Sequence, residues 1–512
     1  MEQLEQLLLI FLAGVALAAL ARRVGAPYPV FLAIGGAALA LLPNAPSFTM
    51  APDLALAIFV APVLLDAAYD ASVRDLRDNW LPVASLVVVA VALTTAAVAA
   101  VAHALVPSMP WPAAVALGAL VAPPDAVAAT AVLRQVRPPQ RIITVLEGES
   151  LLNDATALLI YRVAVGAVAA GSYALSDVAP AFLLGVVGSL VAGPVFAWAV
   201  LWVSGRIDHV PTAIIVQFVS TLGVWLAAEA LGLSAVLTTV VFAIALARKA
   251  PQRISARMRI PTNAVWNTAV FALNILAFVF IGLQLRPILD ALAEQDRARY
   301  LEIAVAVLVT VIVVRMAWHM SFNAVVRWRI RRSGRQPRKR VLMRPTVGSG
   351  LVISWSGMRG IVTLAAAMAL PVEFPFRDLI LFTAFAVVLG TLAIQGLTLK
   401  PLLKALDLHD DDPVGREWSA ARERALQAAL ASLEGAPAHI GAPLRKEFQA
   451  RLGIVEPGNT ALQRGARDYS DIRLDAIRAA RDTIIAMRGG GEIGDDAFHC
   501  LEQELDWLEM TS

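Results

Sequence analysis

Asn153 and Asp154 lie side by side in an apolar stretch, residues 142–160, that is long enough to span a membrane. A carboxylate at bilayer depth is costly, so it survives where it faces a partner or a water-filled cavity. The preceding apolar segment carries a second acid, Asp125, directly after Pro123-Pro124. Acids on neighbouring spans point to a pathway for cations or protons. At about 100° per residue, Glu149, Asn153, Ser150 and Asp154 fall within about 140° of one another. Such a stripe lines a cavity, or else forms a structural polar cluster that joins helices.

Pro123 and Pro124 remove amide donors and clash with the preceding turn, so the helix should be interrupted there. Freed carbonyls at membrane depth are tolerated where they are buried in protein or line a cavity. A counterpart occurs later, where Ser354-Trp355-Ser356-Gly357-Met358-Arg359-Gly360 interrupts another apolar run with two glycines and a charge. Interruptions in corresponding halves of a chain are a pointer to a transporter's binding site. Arg359 keeps its proton and needs a buried anion, and Glu149 is the expected partner in a structural ion pair. Asp154 is then the carboxylate free to transport. Asp66, in Pro62-Val63-Leu64-Leu65-Asp66, either supports the cavity or sits at the membrane interface. Arg162 and Arg315 also lie inside apolar runs, where each snorkels, pairs with a carboxylate or extends the pathway.

The elements that must hold these residues are membrane helices. The 512 residues are 58% hydrophobic and 16% charged, with a mean hydropathy of +0.68. A soluble chain of this length carries more charge. Windows of roughly 20 apolar residues give about 13 spans. The third falls near 53–70, the fifth near 111–134, the sixth near 142–170 and the twelfth near 347–371; a short second span at 28–42 leaves the count open by one. The first begins around Gln6 without a cleavage pattern, which predicts a retained helix. One set of alternate loops holds Arg22, Arg23, Arg74, Arg77, Arg137, Arg141, Arg206, Arg248 and the run from Arg327 to Arg344. The other set holds Arg286, Arg297, Arg299 and Arg377. This asymmetry puts the N-terminus outside and the C-terminus in the cytoplasm of a cell-membrane protein. The net charge of +3 sits in these short loops, as topology determinants rather than a nucleic-acid surface. The expected fold is an all-α polytopic membrane protein. Two inverted six-helix repeats, about 1–170 and 211–405, have their fifth and twelfth helices interrupted. Residues 1–406 form the transporter domain. After the break Asp410-Asp411-Asp412-Pro413, residues 407–512 read as a soluble, helical cytoplasmic domain, with Gly489-Gly490-Gly491 separating its last helix. The lone Cys500 excludes an intrachain disulfide.

Three runs together resemble the NhaP-type sodium/proton antiporters, the branch that includes the eukaryotic sodium/proton exchangers. They are Ala122-Pro123-Pro124-Asp125-Ala126-Val127-Ala128, Leu146-Glu147-Gly148-Glu149-Ser150-Leu151-Leu152-Asn153-Asp154 and Trp355-Ser356-Gly357-Met358-Arg359-Gly360. The likeness in order, spacing and spans covers roughly residues 1–405. The resemblance implies a homodimer with a static dimerisation domain and a moving core. It also implies an ion site at Asp154, with Ser150, Asp125 and a backbone carbonyl near Pro124 as further ligands. Asn153 in place of a second aspartate implies the electroneutral branch. Many members have Thr-Asp-Pro where this chain has Pro124-Asp125-Ala126, so the threonine hydroxyl is missing and cation preference is less fixed than cation transport.

The expected activity is exchange of Na+ or Li+ for H+, serving sodium transport or pH homeostasis and without an added cofactor. One desolvated carboxylate holds a proton or a cation, but not both. The alternative is a K+/H+ or unselective monovalent-cation antiporter on the same fold. A channel fits the acids but not the paired interruptions. An intramembrane hydrolase would need converging catalytic carboxylates or a motif such as His-Glu-x-x-His, and the sequence has neither. An ion sensor signalling through its tail is the remaining reading.

Overall fold

The structure, a computed structural model, describes residues 2–43, 51–136, 138–170, 175–254, 256–333, 346–408, 413–434, 438–453 and 474–487, with isolated positions beyond 500. Arg137, the run Arg335–Arg344, Asp410–Asp412, Gly489–Gly491 and Cys500 lie outside the described residues. Every described element is a helix. Contacts divide the chain into Met1–Asp411 and Asp412–Ser512.

The first unit begins with α1 (Glu2–Val24) and α2 (Tyr28–Ala40), followed by α3 (Pro52–Asp70) and α4 (Trp80–Leu105). Next come α5 (Trp111–Val121), α6 (Ala126–Val136) and α7 (Gln140–Ala170). Then follow α8 (Leu175–Ser204), α9 (Val210–Ala230), α10 (Ala235–Arg253) and α11 (Ala256–Leu283). The unit closes with α12 (Glu294–Ser333), α13 (Val347–Trp355), α14 (Ile361–Met368) and α15 (Arg377–Leu406). In the second unit, α16 (Pro413–Ser432) and α17 (Ala438–Gly453) precede a helical stretch at 474–487.

Among the described residues, 8 helices are long and apolar enough to cross a membrane, and α2 and α5 are shorter apolar helices. The outer faces fit a lipid solvent. Leu8, Leu9 and Leu12 on α1, and Leu183, Val187, Val191, Trp198 and Trp202 on α8, are all exposed. An apolar belt of that extent is foreign to a protein surface in water.

Start signals are local. Ser234 caps α10 by accepting the Leu237 amide, and Thr346 with Ser349 closes a capping box on α13. Both save an orphan amide at a helix end. The two interruptions fall where the sequence puts them. α5 stops before Pro123-Pro124 and α6 restarts at Ala126; α13 stops before Ser356 and α14 restarts at Ile361. Elsewhere the helices meet without side chains between them. At the crossing of α2 and α11, a Cβ on Gly36 would stand 2.5 Å from the Val279 carbonyl oxygen, and one on Gly282 would meet the backbone of α2. Glycine permits that approach, so α2 and α11 pack backbone against backbone.

Candidate ion site

The two interruptions are stitched to each other. The Asp125 amide donates to the Met358 carbonyl at 2.7 Å, so each supplies a partner that the other has lost. Arg359, fully buried, reaches back across the crossing. Its Nε donates to Val121 O at 2.9 Å and its Nη2 to Ala122 O at 3.1 Å, the carbonyls left open where α5 ends. Its Nη1 donates to Gly357 O, and its own amide donates to Thr391 Oγ1 on α15. A guanidinium against a helix C-terminus satisfies orphan carbonyls and opposes the negative end of the dipole.

The second interruption is closed by another arginine. Arg315 on α12 donates through Nε to Ser354 O at 3.2 Å and through Nη2 to Ile353 O at 3.1 Å. The same guanidinium binds the Glu149 carboxylate with both terminal nitrogens, Nη2 lying 2.8 Å from Oε2. Both side chains are almost wholly buried. Asn153 closes a third gap, its Nδ2 donating to Pro124 O at 2.8 Å.

On the other side of α7 is a cavity of about 490 Å³. Pro123, Pro124 and Asp125 line it from the first interruption, Glu147, Ser150 and Asp154 from α7, and Gly360 with Ile361 from the second. Across from them stand Asp66 and Asp70 of α3 and Asn267 and Asn274 of α11. Asp154 is buried, whereas Asp70 and Asn267 are exposed, so the space grades from a dry floor to a wet mouth. Asp70 is the last residue of α3, and Arg74 and Arg77 follow it in the chain. Asp125 does two jobs. One carboxylate oxygen accepts the Val127 amide at 2.8 Å and starts α6, while the carboxylate also faces the cavity, close enough to Asp154 for their charges to interact. Oxygen donors from carboxylates, a hydroxyl and backbone carbonyls form a set suited to a hard alkali cation.

The sequence pattern that defines the transmembrane sodium/hydrogen exchangers matches residues 7–405. This chain belongs to the sodium/hydrogen exchanger family. A Na+/H+ exchanger of Mycobacterium tuberculosis is 30% identical over 503 residues, covering 94% of this chain and 91% of the relative. A sodium, potassium, lithium and rubidium/H+ antiporter of Bacillus subtilis is 26% identical, covering 94% of this chain and 74% of its own. Among solved structures, the sodium proton antiporter MjNhaP1 from Methanocaldococcus jannaschii shares the fold. Its TM-score is 0.60 at 16% identity, over 79% of this chain and 99% of that one. The family is one of membrane transporters that exchange a monovalent cation for a proton, not a class of catalysts.

In this exchanger Asp154, Asp125, Ser150, Pro124 and Asp66 all line the cavity. Asn153 is not among the lining residues; its amide instead holds the Pro124 carbonyl from behind. The expected Glu149–Arg359 pair is not formed. Glu149 is taken by Arg315, and Arg359 is satisfied by carbonyls. The physical reason lies in the helix ends: the α5 carbonyls beside Arg359 supply its acceptors, while Arg315 sits where the α13 carbonyls and Glu149 converge. Arg162 is exposed and does not line the cavity; it lies near Glu229 and Tyr161. The polar wall of Asn267 and Asn274 escaped the sequence reading, although two amides seven residues apart in an apolar run are a visible signal.

Gly360 is required by contact. A Cβ there would overlap the Asp125 carboxylate. Gly360→Ala is expected to cut exchange at least tenfold while the protein stays folded, because Asp125 must leave its place. The check is flux per folded molecule, and an alanine variant at wild-type rate would show that Asp125 has room to spare.

Proposed function

We propose that this exchanger moves one Na+ or Li+ against one H+ in an electroneutral cycle, with cation and proton competing for Asp154. The observation that carries the reading is a buried Asp154 on the cavity floor, beside Asp125 and Ser150, where two interrupted helices cross. The surrounding charges support the stoichiometry. At the crossing, Glu149 and Arg315 cancel and Arg359 offsets one of Asp125 and Asp154, which leaves one negative charge there, apart from the half-buried or exposed acids Glu147, Asp66 and Asp70 of the cavity. One proton or one monovalent cation neutralises that excess. An ionised carboxylate crossing an apolar barrier alone is costly, so the empty site stays put and the two ions must exchange.

The reading extends to architecture. The helical segments are taken as 13 spans over residues 1–406, in two inverted repeats of about 1–170 and 211–405. The N-terminus lies outside the cell membrane, and residues 407–512 lie in the cytoplasm. The cavity is then the inward-open path. A core block carrying Asp154 moves against a static scaffold, in a homodimer, and the cell uses the exchange for sodium extrusion or pH homeostasis. A second reading, transport that includes K+, is favoured by the Bacillus relative and by the missing threonine before Asp125.

The test is proton flux in proteoliposomes under an imposed pH gradient, with the membrane potential clamped and Na+, Li+ and K+ added in turn. Sodium or lithium should dissipate the gradient without moving net charge. Dissipation by potassium as well would select the broader antiporter, and no response to any cation would overturn antiport. Competition makes a further demand: lowering pH should raise the apparent KM for sodium, up to about tenfold per pH unit by mass action, with the maximal rate recovered at saturating sodium. A KM indifferent to pH would mean that cation and proton occupy separate groups.

A further inference from the structure

The core side of the cavity carries the ion site, but the opposite wall has its own pattern. α3 contributes Phe59, Val60, Val63 and Leu64, and α11 contributes Val270, Phe271, Ala277 and Phe278. Two carboxamides, Asn267 and Asn274, break the apolar surface of α11, and the acids Asp66 and Asp70 lie across from them on α3. Neither amide makes a side-chain hydrogen bond among the described residues.

Their spacing is regular. Seven residues are nearly two helical turns, so Asn267 and Asn274 share one face of α11 and stand about 10 Å apart along its axis. Asp66 and Asp70 share a face of α3 in the same way. Asp70 and Asn267 are exposed at the mouth, and Asp66 and Asn274 are half-buried further in. An amide oxygen costs less to bury than a charge and is a good ligand for a hard cation losing its water. In an otherwise apolar wall, each amide gives a cation a neutral oxygen that does not compete for protons.

Resting on the antiport reading above, we propose that Asn274 is a cation-specific ligand on the scaffold wall, which holds a partly dehydrated Na+ or Li+ against Asp154 while the cavity is open; Asn267 is the outer station on the same path. A proton needs neither residue. The wall therefore tunes cation affinity separately from proton affinity, a separation that the shared carboxylate cannot make. α11 packs backbone against backbone on α2 at the Gly36–Gly282 crossing; with this pair in the static scaffold of the proposed cycle, the amide stays with the wall when the core moves and acts on one face of the membrane only.

The test uses the full-length protein in oriented proteoliposomes, with cation supplied to the cavity side. Loss of one ligand oxygen should raise the sodium KM of Asn274→Leu about five- to tenfold, with the maximal rate within about twofold of wild type. Asn274→Gln should recover part of the affinity, Asn267→Leu should show a smaller rise, and sodium supplied from the opposite face should show no change. An unchanged KM in Asn274→Leu would overturn the proposal. So would a fall in maximal rate with KM unaltered, which marks a packing role, or an equal KM rise from both faces. Wild-type protein that exchanges no cation for protons would overturn the antiport reading and this inference together; an active wild type beside indifferent asparagine variants would overturn this inference alone.

Discussion

Replacing Asp154 by asparagine should abolish exchange and leave a folded protein. The substitution keeps the size of the side chain on the cavity floor but removes the buried carboxylate that can be neutral with a proton and ionised with a cation. A cation at membrane depth without its counter-charge carries a penalty of about 2.5–3.5 kcal/mol, roughly 100-fold or more in occupancy. The proton half of the cycle is lost outright, since an amide does not take up a proton in this range. Asp125→Asn should be less complete, because Asp125 also starts α6 through the Val127 amide and an asparagine oxygen can still accept that bond. The measurement is dissipation of a pH gradient by sodium, with folding checked by size-exclusion profile. Wild-type exchange by Asp154→Asn would remove Asp154 from the mechanism.

Glu149→Gln should lower the yield and thermal stability of folded protein more than any single change on the cavity wall. It leaves Arg315 charged and enclosed, with carbonyl acceptors but no counter-ion. Breaking one side of a buried pair costs about 3–5 kcal/mol, a large part of a typical folding free energy of about 5–15 kcal/mol. Adding Arg315→Gln to Glu149→Gln should recover much of the loss, because no bare charge then remains. Adding Arg359→Gln should not, since that side chain closes the α5 carbonyls and its removal is a second, independent injury. The comparison is a double-mutant cycle read by thermal melting in detergent. Rescue through Arg359 instead of Arg315 would reverse the pairing.

Much of the site was legible because membrane depth makes polarity conspicuous. Asp154, Asp125 and Ser150 stood out against apolar runs, and Pro123-Pro124 and Gly357–Gly360 announced the interruptions. The stripe on α7 looks like one face in the sequence, however, and it straddles a boundary. Glu149 and Asn153 turn to the packed side, where they meet Arg315 and the Pro124 carbonyl. Ser150, Asp154 and also Glu147 turn to the cavity. A helical wheel gives angles within one helix, not which neighbour occupies each side. The sequence points to the wrong arginine for Glu149 for a related reason. Two buried arginines and one buried glutamate leave a choice that depends on where freed carbonyls fall, which is a property of the crossing. The interruptions also explain why the stretches at 111–134 and 347–371 do not register as long apolar helices. Each is divided into halves, α5 with α6 and α13 with α14, too short to cross alone.

The stitching between the two interruptions has a mechanical consequence. Asp125 N–H to Met358 O, and Arg359 to Val121 and Ala122, bind the crossed chains at several points within a few residues. A joint tied so often has no play. It cannot hinge open to let an ion past while the surrounding helices stand still, because that would strand a guanidinium and its carbonyls in an apolar interior. In the cycle proposed above, the bound ion therefore travels as freight inside a stiff carriage, and the work of each stroke is done against the lipid and scaffold that the carriage slides along. On the proposed cycle, the resistance to each stroke then lies at the outer faces of that block, far from the charge it carries.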